Sequence, residues 1–145
     1  MNNYFAAEAL ILNQLKNLEN EFKLISTTRS LKELINHPSP TPALFLIYDG
    51  QEPFMAAGKE QVVDQQWLLV IVVRCARQTA AGAYERLEAG PLINTIATAL
   101  IGWQPNNDFG PLALTTAPGP VYNNGYGYYQ VRFSTRFTIR GATNI

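Results

Sequence analysis

The chain has 145 residues, of which 47% are hydrophobic and 15% charged, and eleven Lys and Arg balance eleven Asp and Glu. The apolar content excludes an intrinsically disordered chain, which combines low hydrophobicity with high net charge, and the zero net charge disfavours a globally basic nucleic-acid binder. This length favours one domain spanning residues 1–145. Because net charge near zero promotes association, we expect part of the surface to be buried against partners.

The single cysteine and the apolar runs narrow the class of protein further. Cys75 lies at the end of the segment WLLVIVVRC, which excludes a disulfide framework and favours an inert, buried thiol. The longest unbroken apolar run, Trp67–Val73, is much shorter than the about 20 residues of a membrane-spanning helix. No basic region precedes an apolar stretch at the start of the sequence, so no secretory signal is visible. We therefore expect a soluble, intracellular protein with no membrane association.

Two helices are predicted in the first quarter of the chain. The segment Tyr4–Ile25 reads as one long amphipathic helix, because its apolar residues recur at steps of four and three. These residues are Ile11, Leu15, Leu18, Phe22 and Ile25. A second, short helix is predicted over Leu31–Asn36, and the three prolines of the following HPSPTP segment end it.

The middle of the chain predicts two strands. The apolar run Ala43–Tyr48 is bounded by Asp-Gly and reads as a strand. Residues 49–61 are predicted as a loop or as the tip of a long hairpin, and a long strand follows over Val62–Arg77. From Trp67 to Val73 the side chains directed to either face of this strand are apolar, which is typical of a strand covered on both faces.

The second half predicts a helix and a hairpin. The helix spans Ala83–Ile101, where Gly90-Pro91 introduces a kink or a new helix start, and Trp103 is expected to join the core at its end. The hairpin arms are Leu112–Tyr122 and Tyr126–Arg140, because Asn-Gly between alternating segments is a strong hairpin signal. Prolines at positions 118 and 120 make the first arm an edge strand or bend it.

These elements predict an α+β fold. The expected architecture is a mostly antiparallel β-sheet with a long N-terminal helix and a second helix packed on it.

Residue types that carry chemistry are sparse. His37 is the only histidine, and a nucleophilic arrangement with Ser39 or Cys75 would have to use it. One His and one Cys cannot supply the usual zinc ligands. Glu85 and Glu88 are spaced as one face of a helix and are explained by solvation, with a hydrolase-type pair as the alternative. No cofactor, metal or catalytic residue is predicted.

Two phosphate-binding patterns are also rejected. The segment ending in Gly58-Lys59 matches the Walker pattern only at those two residues, because proline and glutamate occupy the other key positions. The segment starting at Gly125-Tyr-Gly127 lacks the third glycine of a dinucleotide fingerprint and lies on a predicted hairpin.

Charge is distributed unevenly along the chain. Residues 1–108 carry eight basic and eleven acidic groups, a balance of −3, whereas residues 109–145 carry three arginines and no acid. Arg132, Arg136 and Arg140 share one face of the last strand at intervals of about 13 Å, given a rise of 3.3 Å per residue. This ridge is either a solvated sheet face or a contact surface for an acidic neighbour or a nucleic-acid backbone. The nearby Tyr122, Tyr126 and Tyr128 fit an interface or ordinary strand propensity.

Opposite charge on the two parts of a neutral chain suits a head-to-tail assembly, in which unlike surfaces meet around a ring. Phe54 and Met55 are apolar in a segment where a solvated loop would be polar. They are therefore candidates to contact a neighbouring subunit, with folding back onto their own core as the alternative.

The sequence resembles the tail terminator, or tail-completion, proteins of long-tailed bacteriophages and prophages over nearly its whole length. The motifs that carry the resemblance are EALILNQL, PSPTPALFLIY, QQWLLVIVVRCAR, ALIGWQP and GYGYYQVRFSTRF. This resemblance implies a non-enzymatic virion tail protein, made in the bacterial host cytoplasm, that forms a hexameric ring on the finished tail tube. The implied partners are copies of itself, the tail tube protein, the head–tail connector, and double-stranded DNA passing through the lumen without sequence-specific binding.

Two other functions stay open on the residues alone. One is a small enzyme whose site combines dispersed carboxylates with His37, and it would need a deep polar pocket that holds several of these groups. The other is a DNA-binding module that uses the ridge of Arg132, Arg136 and Arg140.

Overall fold

The computed structural model describes residues 2–75 and 82–142, which are organised around a six-stranded sheet. The strands lie in the order β1-β2-β3-β6-β4, and β5 pairs with another part of β6. β1 and β2 are parallel and the other pairs are antiparallel, so the predicted mostly antiparallel sheet is confirmed. The elements are α1 (Ala6–Leu15), β1 (Leu24–Thr27), α2 (Leu31–Asn36), β2 (Ala43–Ala57), β3 (Glu60–Arg74), α3 (Ala83–Leu100), β4 (Ala113–Thr115), β5 (Val121–Asn123) and β6 (Tyr126–Arg140).

The prediction of a long N-terminal helix is wrong. α1 ends at Leu15 and continues only as a 3₁₀ turn to Leu18, after which Leu24–Thr27 forms a strand parallel to β2. The apolar stripe was misleading because all its members contact the same core, although they do so from a helix, a turn and a strand. Ile11, Leu15 and Phe22 are buried in that core, and Leu18 and Ile25 pack against it.

α2 is confirmed with its predicted bounds. Its start is fixed by Ser30, whose hydroxyl accepts a hydrogen bond from the backbone N–H of Glu33 at 3.3 Å, as expected of an N-cap residue.

Residues 49–61 form the tip of a long hairpin, one of the two predicted alternatives. β2 continues to Ala57, and β3 begins at Glu60 after a turn in which Gly58 adopts a φ of +62°. β3 ends at Arg74, whereas the predicted strand reached Arg77; residues 76 and 77 lie outside the described residues. Cys75, predicted to be buried, is partly exposed.

α3 runs without interruption through Gly90-Pro91, so of the two predicted alternatives, a kink or a new helix start, the new start is excluded. The Thr95 hydroxyl donates a hydrogen bond to the Pro91 carbonyl, a backbone acceptor of the same helix, at 2.9 Å. Trp103 packs against the core just beyond the helix end, as predicted. No helix among residues 2–75 and 82–142 has the length and hydropathy needed to cross a bilayer.

The predicted C-terminal hairpin is confirmed at its turn and divided in its first arm. Asn124 and Gly125 have φ values of +50° and +80°, as a type I′ turn between β5 and β6 requires. The first arm consists of the two short strands β4 and β5, separated by the segment that holds Pro118 and Pro120. Because proline lacks the N–H that a ladder needs, this separation follows from the sequence.

The sheet is buried on both faces around β3, as the apolar run of Trp67–Val73 predicts. α1 and α3 pack on one face, the helix face, over residues that include Trp67, Leu69 and Ile71. α2 and the segment around Ala117 cover the opposite face over Leu68, Val70 and Val72.

A buried glutamine connects the N-terminus to β3. Gln65 is fully buried; its amide nitrogen donates to the Tyr4 carbonyl at 3.1 Å, and its amide oxygen accepts from the Trp67 indole nitrogen at 3.1 Å. Its side-chain donor and acceptor are therefore both used.

Substitution of this residue tests the connection. Gln65→Leu removes the partners of the buried Trp67 indole N–H and of the Tyr4 carbonyl, and we expect it to lower the free energy of unfolding by about 2–4 kcal/mol. Gln61→Leu, at an exposed position on the same strand, should change it by less than about 0.5 kcal/mol. Urea unfolding of the two variants measures this difference, and equal effects would contradict the role assigned to Gln65.

Candidate subunit and partner interface

Three strands form a projecting region that we call the arm: residues 51–57 of β2, 60–65 of β3 and 135–140 of β6. They pair in the order β2-β3-β6, with a register shift between Pro53 and Met55 on the β2 side and none on the β6 side. The helix face of the arm is covered around Phe137, because the Phe137 ring lies edge-on to the rings of Tyr4 and Phe109, at centroid distances of 5.1 and 5.5 Å. The opposite face of the arm carries most of the predicted interface residues.

The three predicted arginines lie in one line on this opposite face, but each has an acidic partner within the chain. An Arg132 nitrogen, Nη2, lies 2.7 Å from Asp49 Oδ2, Arg136 Nε lies 3.8 Å from Asp64 Oδ2, and Arg140 pairs with Glu60. Three positive and three negative charges cancel in this ion-pair row. The predicted basic ridge is therefore not a bare cationic surface, and the charge imbalance between residues 1–108 and 109–145 is partly neutralised by folding.

Arg132 is the most enclosed of the three arginines. Its side chain is 25% exposed, compared with 51% for Arg136 and 67% for Arg140. Its Nε also donates to Asp49 Oδ2 at 2.7 Å, and its Nη1 donates to the Thr116 carbonyl. Arg132 therefore ties β2 to the connection that follows β4.

A polar groove of about 570 Å³ lies beside this pair. Its lining includes Asp49, Glu52 and Asp64, and within the described part of the chain Asp64 Oδ1 is buried without a hydrogen-bond partner. Among residues 2–75 and 82–142, no three His, Cys, Asp or Glu side chains are placed to hold a metal ion.

Phe54 and Met55 lie at an irregularity of β2, where the register with β3 shifts between Pro53 and Met55. Their side chains are 48% and 56% exposed, so they do not fold back into the core. The guanidinium carbon of Arg136 lies 3.6 Å from the centre of the Phe54 ring, a cation–π contact that holds this ring on the surface. Contact with a neighbouring subunit stays a prediction for both residues.

The three predicted tyrosines have different surroundings. Tyr128 is only 2% exposed and belongs to the core cluster under α2, so a partner cannot reach its ring without repacking. Tyr126 is partly buried and has the Arg74 guanidinium over its ring. Tyr122 is 48% exposed, and its hydroxyl lies 2.9 Å from that of Tyr129; burial and this hydrogen bond raise the pKa of Tyr129.

The residues of the enzymatic alternative are not brought together. His37 is exposed and directly follows the end of α2, with Nε2 3.7 Å from Glu33 Oε2. Glu85 is buried and Glu88 is exposed, so the two do not face a common cleft. Glu85 instead accepts a hydrogen bond from Cys75 Sγ, which lowers the pKa of this carboxyl group.

Sequence reasoning missed the acidic partners of the arginines. The signal was present, because Glu60 and Asp64 are spaced by four residues, as are Arg136 and Arg140. In an antiparallel pair this common spacing brings both acids opposite both arginines, and the register confirms Glu60 against Arg140 and Asp64 against Arg136.

Differences in enclosure give a stability prediction. Arg132→Gln removes the ion pair and hydrogen bond to Asp49 and the hydrogen bond to Thr116, and we expect it to lower the free energy of unfolding by about 1–2 kcal/mol. Arg140→Gln breaks only an exposed pair and should cost at most about 0.5 kcal/mol. Equal losses of stability in urea unfolding would contradict the prediction that the less exposed ion pair stabilises the fold more.

No curated protein matches the sequence. The fold is similar to that of a chain in the structure described as "Virion of native gene transfer agent (GTA) particle", with a TM-score of 0.57, 12% identity, and coverage of 90% of this chain and 93% of that chain. The family model described as "Phage tail terminator protein" matches residues 1–144. The chain therefore belongs to the phage tail terminator family.

Proposed function

We propose that this protein is a structural component of the virion tail that assembles with copies of itself into a ring, expected to be a hexamer. The ring caps the finished tail tube, stops the addition of further tube subunits, and presents a joining surface to the head connector. No bond is made or broken in this role. Family membership and the fold shared with a virion chain support it.

The open face of the arm is the observation that carries the proposal. It is a three-stranded surface on which Arg136 and Arg140 are already paired with acidic residues and Phe54 and Met55 are exposed. A surface of this kind suits docking against another protein, because neutralised charges cost less to cover than unpaired ones and apolar side chains gain from burial. A ring follows when two unlike surfaces of each copy meet head to tail.

Neutralisation of the arginines also bears on DNA. Binding to the DNA backbone depends on free Lys and Arg that displace counterions, and the three arginines of the row already pair with carboxylates. DNA therefore passes through the lumen of the proposed ring without being held by this row. The further partners in this proposal are the tail tube protein and the connector, with synthesis in the host cytoplasm.

Electron microscopy of the purified protein, alone and mixed with tail tubes, tests the capping role. We expect rings at one end of each tube, and tubes that keep their length when more tube protein is added. The matched test variant combines Phe54→Ser with Met55→Ser. It removes exposed apolar surface from the arm, so we expect it to cap fewer tubes than the wild-type protein does. Bare tube ends and unrestricted elongation with the wild-type protein would contradict the proposal.

A further inference from the structure

β6 has an open edge at the end of the arm. One side of β6 is paired along its whole length by β3, and the other side is paired by β5 over residues 126–128 and by β4 over residues 132–134. The Gly110 N–H then donates to the Arg136 carbonyl at 2.8 Å. Within the described residues, Phe137–Arg140 have no strand on this side, and a groove of about 600 Å³ runs between them and residues 107–110.

The Gly110 bond also fixes which backbone groups face the groove. The N–H and C=O of one strand residue point to the same side, and successive residues alternate. Because the Arg136 carbonyl points away from β3, the backbone groups of Thr138 and Arg140 point away from β3 as well. A strand lying in the groove would meet a free donor and a free acceptor on Thr138.

The outer edge of β2 forms the other border of the arm and lies at the same level. Val62 pairs with Met55 on one side and with Thr138 on the other, and Asp64 likewise pairs with Glu52 and Arg136. β2 and β6 are both antiparallel to β3, so they run in the same direction. Suppose that the copies in a ring are related by rotation about an axis parallel to these strands. Rotation does not shift a copy along the axis, so the β6 edge of one copy lies level with the β2 edge of the next.

The two edges also differ in charge. The β6 strand of the arm carries Arg136 and Arg140, whereas the β2 strand carries Glu52 and no basic residue. Within the described residues Glu52 forms no ion pair, and it is exposed. A neighbouring copy at the same level would therefore place its Glu52 beside Arg136, whose side chain is half exposed.

From these observations we infer that the β6 edge at Phe137–Arg140 binds the β2 edge of a second copy of this chain, as a short parallel strand pair. This inference rests on the proposed ring and names its subunit contact. In the level register, the Thr138 N–H donates to the Pro53 carbonyl of the neighbouring copy, and the Ala56 N–H of that copy donates to the Thr138 carbonyl.

Pro53 fits this register in a way that a random edge residue would not. Its pairing opposite Val63 directs its backbone nitrogen away from β3, toward the outside of the arm. In this parallel register, the residue at position 53 of one copy would donate its N–H to the Arg136 carbonyl of the other copy. That carbonyl already accepts a hydrogen bond from the Gly110 N–H of its own chain. The missing N–H of proline therefore leaves no acceptor unsatisfied. Pro53 and the register shifts also keep the β2 edge from pairing with strands at random.

Two sets of variants test the contact, with assembly mass measured by light scattering and native mass spectrometry. Thr138→Pro removes the outward N–H and leaves the β3 pairing intact, so we expect self-association to weaken at least tenfold relative to Thr138→Val. The two variants should have similar melting temperatures, which shows that the monomer fold survives.

The second set exchanges charge between the two edges. Glu52→Arg and Arg136→Glu should each weaken assembly, and a 1:1 mixture of the two should restore it, because every contact then pairs either the original or the exchanged charges. Glu19→Arg, at an exposed acid outside the arm, should assemble as the wild type does. Assembly that is unaffected by Thr138→Pro and by both charge variants would overturn this contact and leave the ring intact. A wild-type protein that stays monomeric and does not bind tubes would overturn both.

Discussion

The central position of β3 in the sheet is the constraint on which the rest of the structure depends. All 15 of its residues pair with β6 on one side, and most of them pair with β2 on the other. From Trp67 to Val73 both faces of this strand are buried, whereas in the arm only the helix face is covered. On the uncovered face of the arm, the fixed register sets Glu60 and Asp64 against Arg140 and Arg136, and Phe54 and Met55 are exposed beside them.

Short-range signals in the sequence predicted those parts of the fold that local chemistry determines. Asn124-Gly125 predicted the turn because both residues tolerate positive φ, and the alternation in β6 predicted which residues face the core. The strand at Leu24–Thr27 was missed, because its burial against the same core imitates the period of a helix. Parallel pairing with β2 stabilises this segment, and no local pattern reports a pairing between segments separated by the whole of α2.

The candidate interface was predictable in position but not in electrostatics. Arg132, Arg136 and Arg140 share a face because of strand alternation alone, but their partners lie between 72 and 83 positions earlier in the chain. The sequence left open whether Phe54 is exposed or packs back onto its own core, and its contact with Arg136 lies beside a register shift that the sequence does not display. Tyr128 illustrates the opposite case, because a tyrosine on a strand is equally suited to an interface and to the core that buries it.

A protein that acts through its surfaces has the specificity of those surfaces and needs no reactive side chain. Family membership gives the tail role its general form, and the arm supplies a physical account of how copies of one chain could meet. The proposed contact combines a short, open strand edge with complementary charge, and Pro53 and the register shift in β2 limit pairing with unsuitable strands.

Hydrogen–deuterium exchange at the arm tests this account most directly. The backbone amides of Thr138 in β6 and Ala56 in β2 face outward in the free chain and exchange without protection from a neighbouring strand. The account predicts that both amides become protected when the wild-type protein assembles and stay unprotected in the Glu52→Arg variant. An assembled wild-type ring in which both amides exchange as fast as in the monomer would contradict it.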